Sequence, residues 1–322
     1  MSKKKIISVQ NLKKYFPITK GFIFTKLVGN VKAVDNISFD INEGQTLGLV
    51  GESGCGKSTT ANVLLGLEKP TAGHIRFEGE DITQFSKSQL FDFRRNIQAV
   101  FQDPYRSLSP RKKVKQIISE PLSVHRVGLK EAQLERVMEL LLLVGLNTEH
   151  AELYPHEFSG GQRQRIAVAR ALSLNPKTII LDEPLSALDV SIQAQILNLL
   201  IDLQKKLNLT FLIISHDLAV VEHISDNIGV MYLGTLAELA PSDKLYSDPK
   251  HPYTVALLES VPIADPDAKM AVSLEGEVPS PLNPPLGCRF HPRCPKAIPV
   301  CKEADPEMKE VSSGHYVNCH LF

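Results

Sequence analysis

No apolar stretch in this 322-residue chain approaches the length a membrane-crossing helix needs, about 18–20 residues. The lysines at positions 3–5 are not followed by the apolar core of a signal peptide. A cytoplasmic protein is therefore expected, reaching a membrane only through a partner. Excess charge is also missing: 36 Lys and Arg balance 36 Asp and Glu, which argues against an electrostatic nucleic-acid binder. Lys3-Lys4-Lys5 reads as a solvated tail. Internal repeats are absent. Cysteine is scarce at five, and in a reducing compartment disulfides are disfavoured. Four of the five nevertheless crowd into the last 35 residues, as Cys288, Cys294, Cys301 and Cys319.

What is present is an ordinary globular composition, 43% hydrophobic and 22% charged, over a length that suits one large domain and a smaller appendage. Short apolar strands are expected at Ile6–Val9, Val31–Val34, Ile37–Ile41 and Leu47–Val50, with an extra hairpin or loop at Lys20–Asn30. Gly73–Phe77 and the Gly79 turn read as another hairpin. Lys112–Leu146 reads as mostly helical, with Leu134, Val137, Leu141 and Val144 at helical spacing. Helices are also expected at Gln162–Leu174 and Ile192–Leu207. Thr178–Leu181 and Thr210–Ile214 are continuous apolar runs of the buried, parallel-sheet kind. The alternation argues for an α/β core with a parallel sheet, preceded by an antiparallel layer and interrupted by a helical insertion. Beyond about residue 240 the composition changes, and thirteen of the 21 prolines fall between Pro241 and Pro306. Its apolar and cysteine content suggests a small, loop-rich module there.

Residues 51–59, Gly-Glu-Ser-Gly-Cys-Gly-Lys-Ser-Thr, lie between an apolar strand and a helix-like stretch, the setting a phosphate loop requires. Gly51, Gly54 and Gly56 permit the turns that aim N–H groups at phosphate oxygens, and the helix start adds partial positive charge. Ser53, Cys55 and Thr59 complete the loop and are expected among its nucleotide-binding residues, Cys55 as a small filler of a free position. Lys57 reaches terminal phosphates, and the Ser58 hydroxyl suits Mg²⁺. A nucleoside triphosphate is the expected ligand. Four more signals follow: Gln102 after a strand; Ser159-Gly160-Gly161-Gln162 opening a helix; Asp182-Glu183 closing the run Thr178–Leu181, with Ser186-Ala187-Leu188-Asp189 beyond; and His216 after Thr210–Ile214.

Across roughly residues 6–238 these motifs resemble the ATP-binding subunits of ABC transporters. The Ser-Gly-Gly-Gln signature discriminates them from other phosphate-loop families; Phe158 stands where many members carry leucine. The fold class that follows is a P-loop NTPase of the ABC nucleotide-binding type, with an antiparallel β layer and a helical subdomain at about 103–158. The ATP-binding domain is expected at 1–238 and a Cys-containing extension at 239–322. The resemblance implies that Ser58, Gln102 and Asp182 hold Mg²⁺, that Glu183 polarises the attacking water, and that His216 contacts the γ-phosphate. It implies that Tyr15 stacks on adenine, with Phe16 able to share the role. It places Ser159, Gly160 and Gly161, with Gln162 of the same signature, against the ATP of an opposite subunit, in a head-to-tail dimer holding two ATP molecules; Asp189 is a further expected nucleotide-binding residue.

Gln102–Arg111, with Ser109 where Asn is common, resembles dipeptide and oligopeptide importers in particular. So do His251-Pro252-Tyr253-Thr254, Val261-Pro262, and Gly287-Cys288-Arg289-Phe290-His291-Pro292-Arg293-Cys294-Pro295. The implied function is an ATP-hydrolysing motor subunit on the cytoplasmic side of the cell membrane. Its implied partners are a second, paralogous ATP-binding subunit, two transmembrane permease subunits and an extracellular peptide-binding protein. Alternatives are a related importer for another small solute such as nickel, or a non-transport ABC ATPase. The four C-terminal cysteines are separated by five, six and seventeen residues, which forms no short zinc knuckle. A Cys₄ set on irregular loops suits a [4Fe–4S] cluster, which some peptide-importer ATP subunits carry at this place. Zinc and unmetallated thiols stay open, as does substitution of a cysteine by His291, His315 or His320.

Overall fold

The computed structural model describes residues 4–20, 26–103, 107–186, 188–260 and 276–322. Among them are twelve strands: β1 (Lys5–Lys20), β2 (Lys26–Asn42), β3 (Thr46–Val50), β4 (Ala72–Phe77), β5 (Glu80–Asp81), β6 (Ile97–Val100), β7 (Thr178–Asp182), β8 (Thr210–Ile214), β9 (Asn227–Tyr232), β10 (Thr235–Pro241), β11 (Met308–Ser312) and β12 (His315–Asn318). The chain divides into two compact units. One is built mainly from Asn42–Gln45 and Gln84–Ile214, the other from Lys5–Ile41, Thr46–Thr83 and Ser215–Phe322.

In the first unit β8, β7 and β6 lie side by side in that order, all parallel. Thr178–Leu181 and Thr210–Ile214 are buried without interruption, as expected for strands covered on both faces. Around them run helices Val114–Val124, Lys130–Leu143, Gly160–Leu172 and Val190–Leu207. Val137, Leu141 and Val144 are buried as their spacing predicts, but Leu134 faces solvent at 43% exposure. The last helix stops at Asn208, which takes the left-handed conformation (φ 50°) that ends a helix.

The second unit contains an antiparallel sheet of order β2-β1-β4-β5 and a second run of order β11-β12-β10-β9-β3. β3 and β9 are parallel, Leu47 opposite Asn227 through Val50 opposite Val230. β10 pairs antiparallel with β9 and β12. The strands before residue 43 are longer than expected: β1 continues to Lys20 and β2 begins at Lys26, so the flanks of the anticipated Lys20–Asn30 insertion are strand. The rest of that insertion, Pro104–Arg106 of the importer-like segment, Ala187 and Val261-Pro262 lie outside the described residues.

Residues after 240 are anchored by apolar packing. Tyr253, Phe290, Cys288 and Cys301 share a buried cluster with Val50, Val230 and Tyr232. The rings of Tyr232, Tyr253 and Phe290 sit 4.7–5.3 Å apart in tilted and edge-on arrangements, geometries that aromatic quadrupoles favour. His251 caps the helix Pro252–Glu259, its Nδ1 accepting from the Tyr253 N–H at 3.0 Å. Burial in this cluster lowers its pKa to about 4. The unfolded chain therefore binds a proton below about pH 6.5 that the native chain refuses, and stability is lost as pH falls from there toward 4. A difference of about 2.5 units corresponds to about 3 kcal/mol at the acid end of that window. Urea melts from pH 7 to 4 are expected to show this slope, and His251→Asn, which keeps a capping acceptor, is expected to flatten it. An unchanged slope in that variant would remove His251 as its source.

Candidate nucleotide site

β3 is buried throughout and delivers the chain into the loop 51–56. The loop turns through three glycines at positive φ: Gly51 (147°), Gly54 (79°) and Gly56 (111°). A Cβ on Gly51 would lie 2.2 Å from the Met231 carbonyl oxygen, and one on Gly56 2.2 Å from that of Ala33, so neither position admits a side chain. Gly54 faces open space and, with Ser53 and Ser58, forms an exposed mouth. Behind it Lys57 is 6% exposed, its ammonium donating to the carbonyls of Gly51 (2.7 Å) and Glu52 (3.1 Å). Helix Lys57–Leu64 follows, with no side chain capping its start and no acidic residue in its first turn. This cradle fits a phosphate: backbone N–H groups, the helix start and a buried ammonium all offer positive potential to an anion. Thr59 is half-buried on the first turn, and the buried Thr60 hydroxyl bonds back to Gly56 O. Cys55 is buried, its carbonyl accepting from the Gly234 N–H at 2.8 Å. Desolvation raises its thiol pKa despite the ammonium of Lys57 nearby.

His216 follows Ser215, whose N–H donates to the Leu49 carbonyl at 3.3 Å, so it leaves the sheet at the same end of β3 as the phosphate loop. Its side chain is exposed, and Asp217 after it caps helix Leu218–Ile224. Tyr15 lies elsewhere in the second unit, on a cavity of about 330 Å³ shared with Lys13, Lys32, Asp35 and Arg289. Its hydroxyl donates to Asp35, whose other oxygen accepts from Arg289. Burial, then this bond, pushes the phenol up to about 12. Burial alone would raise the Asp35 pKa, but Tyr15 and the Arg289 guanidinium outweigh it and hold it below the usual range.

In the first unit, Asp182 ends β7 half-buried and Glu183 follows at φ 47°. That left-handed turn is held by the Glu183 N–H donating to Ile214 O at 2.8 Å. Gln102, two residues beyond β6, donates from Nε2 to Glu183 Oε2 at 2.6 Å. The amide thereby sets the direction of the carboxylate. Ser159 starts helix Gly160–Leu172 with a capping box: its Oγ accepts from the Gln162 N–H, and Gln162 Oε1 accepts from the Ser159 N–H. Gly161 is glycine because Ile192 packs on it; an added Cβ would meet Ile192 Cγ2 at 2.5 Å. Asp189 is exposed at the start of helix Val190–Leu207. Hydroxyl, carboxylate and amide oxygens, as on Ser58, Asp182 and Gln102, are the donors Mg²⁺ prefers alongside substrate phosphates.

The expectation of a [4Fe–4S] cluster at Cys288, Cys294, Cys301 and Cys319 is overturned. Among the described residues no group of three or more His, Cys, Asp or Glu side chains is arranged to hold a metal ion, and zinc finds no support either. Cys288, Cys301 and Cys319 are buried and Cys294 is half-buried, none of them in a disulfide. Burial lifts the Cys288 thiol to about 11 and raises those of Cys294 and Cys319. The histidines nearby are engaged: His291 with Cys288 O, His315 with Glu238, His320 with Ala304 O. Cys288 and Cys301, with Cys294 packed against them, act as small filling of an apolar cluster. The sequence reading also passed over Glu52, Tyr253, Arg289 and Arg293. All four stood in motifs already singled out, but nothing local signals their partners.

A profile described as "ABC transporter" matches residues 34–186, and one described as "Oligopeptide/dipeptide transporter, C-terminal region" matches 237–301. The oligopeptide transport ATP-binding protein AppF of Bacillus subtilis (strain 168) is 55% identical over 321 residues, covering 98% of this chain and 97% of its own length. The dipeptide transport ATP-binding protein DppF of Escherichia coli (strain K12) is 47% identical over 315 residues, 98% of this chain and 93% of its own. Among solved structures, the dimeric bacterial ABC transporter cassette MJ0796 aligns with TM-score 0.64 at 28% identity, over 73% of this chain and 98% of that one.

Proposed function

The chain belongs to the family of oligopeptide and dipeptide transport ATP-binding proteins, and from that premise we propose that it is the ATP-hydrolysing motor of an importer of di- and oligopeptides. The observation that carries the reading is the glycine cradle with the buried Lys57 ahead of an acid-free helix start. Lys57 and the loop N–H groups bind the triphosphate, and Tyr15 meets the base. Mg²⁺, when bound, neutralises phosphate charge, and Ser58, Asp182 and Gln102 are the residues that would hold it. Glu183 orients water and takes its proton, held in direction by Gln102, and His216 contacts the γ-phosphate.

Ser159 is exposed at a helix start and meets the ATP of a second subunit, with Gly160, Gly161, Gln162 and Asp189. That subunit is a paralogue; the pair docks on two permease subunits at the cytoplasmic face of the membrane, and a peptide-binding protein serves the external face. No helix among the described residues is long and apolar enough to cross a membrane; in this reading, contact with the bilayer runs through the permeases. Residues 1–238 form the ATP-binding domain, with its helical part at 103–158, and 239–322 the loop-rich, Cys-containing extension. The profile match at 237–301 supports that division and the peptide substrate.

The test is direct. Full-length chain is expected to bind MgATP and to hydrolyse it slowly, with specific activity rising with protein concentration, and to co-purify with polytopic permeases when co-expressed. Robust turnover by verified monomer, independent of concentration, would defeat the shared-site reading.

A further inference from the structure

Glu52 occupies a position of the phosphate loop that the motif leaves open, yet every polar part of it is held. Its N–H donates to the Tyr253 hydroxyl at 3.0 Å. Its carbonyl accepts from Lys57 Nζ at 3.1 Å and from the Cys55 N–H at 3.2 Å. Its carboxylate receives both guanidinium nitrogens of Arg293, at 2.7 and 3.0 Å, a forked pair. Arg293 is not a surface arginine that happens to reach across: its side chain is 4% exposed, and its guanidinium lies 5.9 Å from the Tyr232 ring centre. Tyr253 is fully buried. Both residues come from the C-terminal part of the second unit, and Cys288 and Cys294, which flank the Arg289–Arg293 stretch, root it in the apolar cluster.

A carboxylate beside a loop that receives a triphosphate repels its ligand unless it is neutralised and turned aside. The Arg293 fork does both, while Tyr253 fixes the peptide N–H that follows Gly51. Resting on the ATP-binding reading above, we infer that Arg293 and Tyr253 are positioning residues of the phosphate loop: Arg293 screens Glu52 from the incoming phosphates, and Tyr253 holds the loop backbone in its binding shape.

The test is calorimetric titration of the full-length chain with MgATP, together with thermal melting and steady-state ATPase rates. Arg293→Met, which keeps an apolar stem against Tyr232, is expected to weaken MgATP affinity about tenfold. KM should rise in parallel while kcat at saturating MgATP stays near the native value. Tyr253→Phe, which leaves the Glu52 N–H without its acceptor, is expected to weaken affinity about fivefold. The decisive variant is Glu52→Gln placed in the Arg293→Met background. Removing the unscreened charge is expected to restore most of the affinity without restoring the melting temperature, which a merely structural Arg293 would not allow. Native affinity in Arg293→Met, or weakened affinity that Glu52→Gln does not restore, overturns the inference. Failure of the unsubstituted chain to bind MgATP overturns instead the functional reading on which it rests.

Discussion

Replacing Glu183 with Gln is expected to lower ATP turnover by about 10²–10⁴-fold, the range for losing a general base, and to leave MgATP affinity nearly unchanged. Gln matches Glu in size and can keep the contact with Gln102, now 2.6 Å from Nε2 to the carboxylate. The main-chain hold on Ile214 O is untouched, so the turn at φ 47° persists. What the amide cannot do is accept a proton from water. Steady-state phosphate release and MgATP titration measure the two quantities separately. Mixed with a partner ATP-binding subunit and MgATP, the variant is also expected to form a long-lived dimer visible by light scattering. Residual turnover above about a tenth of native would remove Glu183 from the role of base and shift attention to His216.

The second large effect concerns stability. Glu238 is fully buried on β10, and its carboxylate meets three donors: His315 Nε2 at 2.6 Å, and the N–H groups of Lys250 (2.8 Å) and His251 (2.9 Å). It thus ties β10 to β12 and to the start of helix Pro252–Glu259. Glu238→Ala leaves two main-chain donors and a buried imidazole without their acceptor, as well as a cavity. A loss of about 3–5 kcal/mol is expected, as for breaking other buried pairs. Set against about 5–15 kcal/mol for a typical domain, this removes about a fifth or more of the stability. Glu238→Gln keeps an oxygen for one or two of the donors and is expected to cost about 1–3 kcal/mol. Urea unfolding followed by circular dichroism reads both. A loss below about 1 kcal/mol in the Ala variant would mean that water replaces the carboxylate.

Much of the first unit was legible because its signals are local. Continuous apolar runs marked β7 and β8, and Ser159 and Gln162 announced their own capping box. The glycines of the phosphate loop were legible for the same reason, since a positive φ in close quarters leaves few alternatives to glycine. β9 through β12 were not anticipated, because their pairing brings residues 227–241 against 315–318 and no short window encodes it. Leu134 fits the helical spacing yet faces solvent. The C-terminal cysteines misled for a different reason. Spacing along a chain carries no information on burial, and thiols inside an apolar cluster pack as small hydrophobes rather than bind metal. Glu52 shows the same limit from the other side: its significance lies in a side chain 241 residues away.

That separation has a consequence for how the protein is made. At about 5–20 residues per second of synthesis, the phosphate loop emerges about 10–50 s before Arg293 exists to screen Glu52. During this interval the nascent loop carries an unopposed carboxylate and an unheld backbone N–H, so it is a poor ligand for nucleotide until the far end of the chain arrives. A product broken off before residue 293 inherits that handicap permanently. It would keep every residue of the phosphate-loop motif and still compete weakly for ATP, sparing the cell a fragment that occupies nucleotide without driving transport.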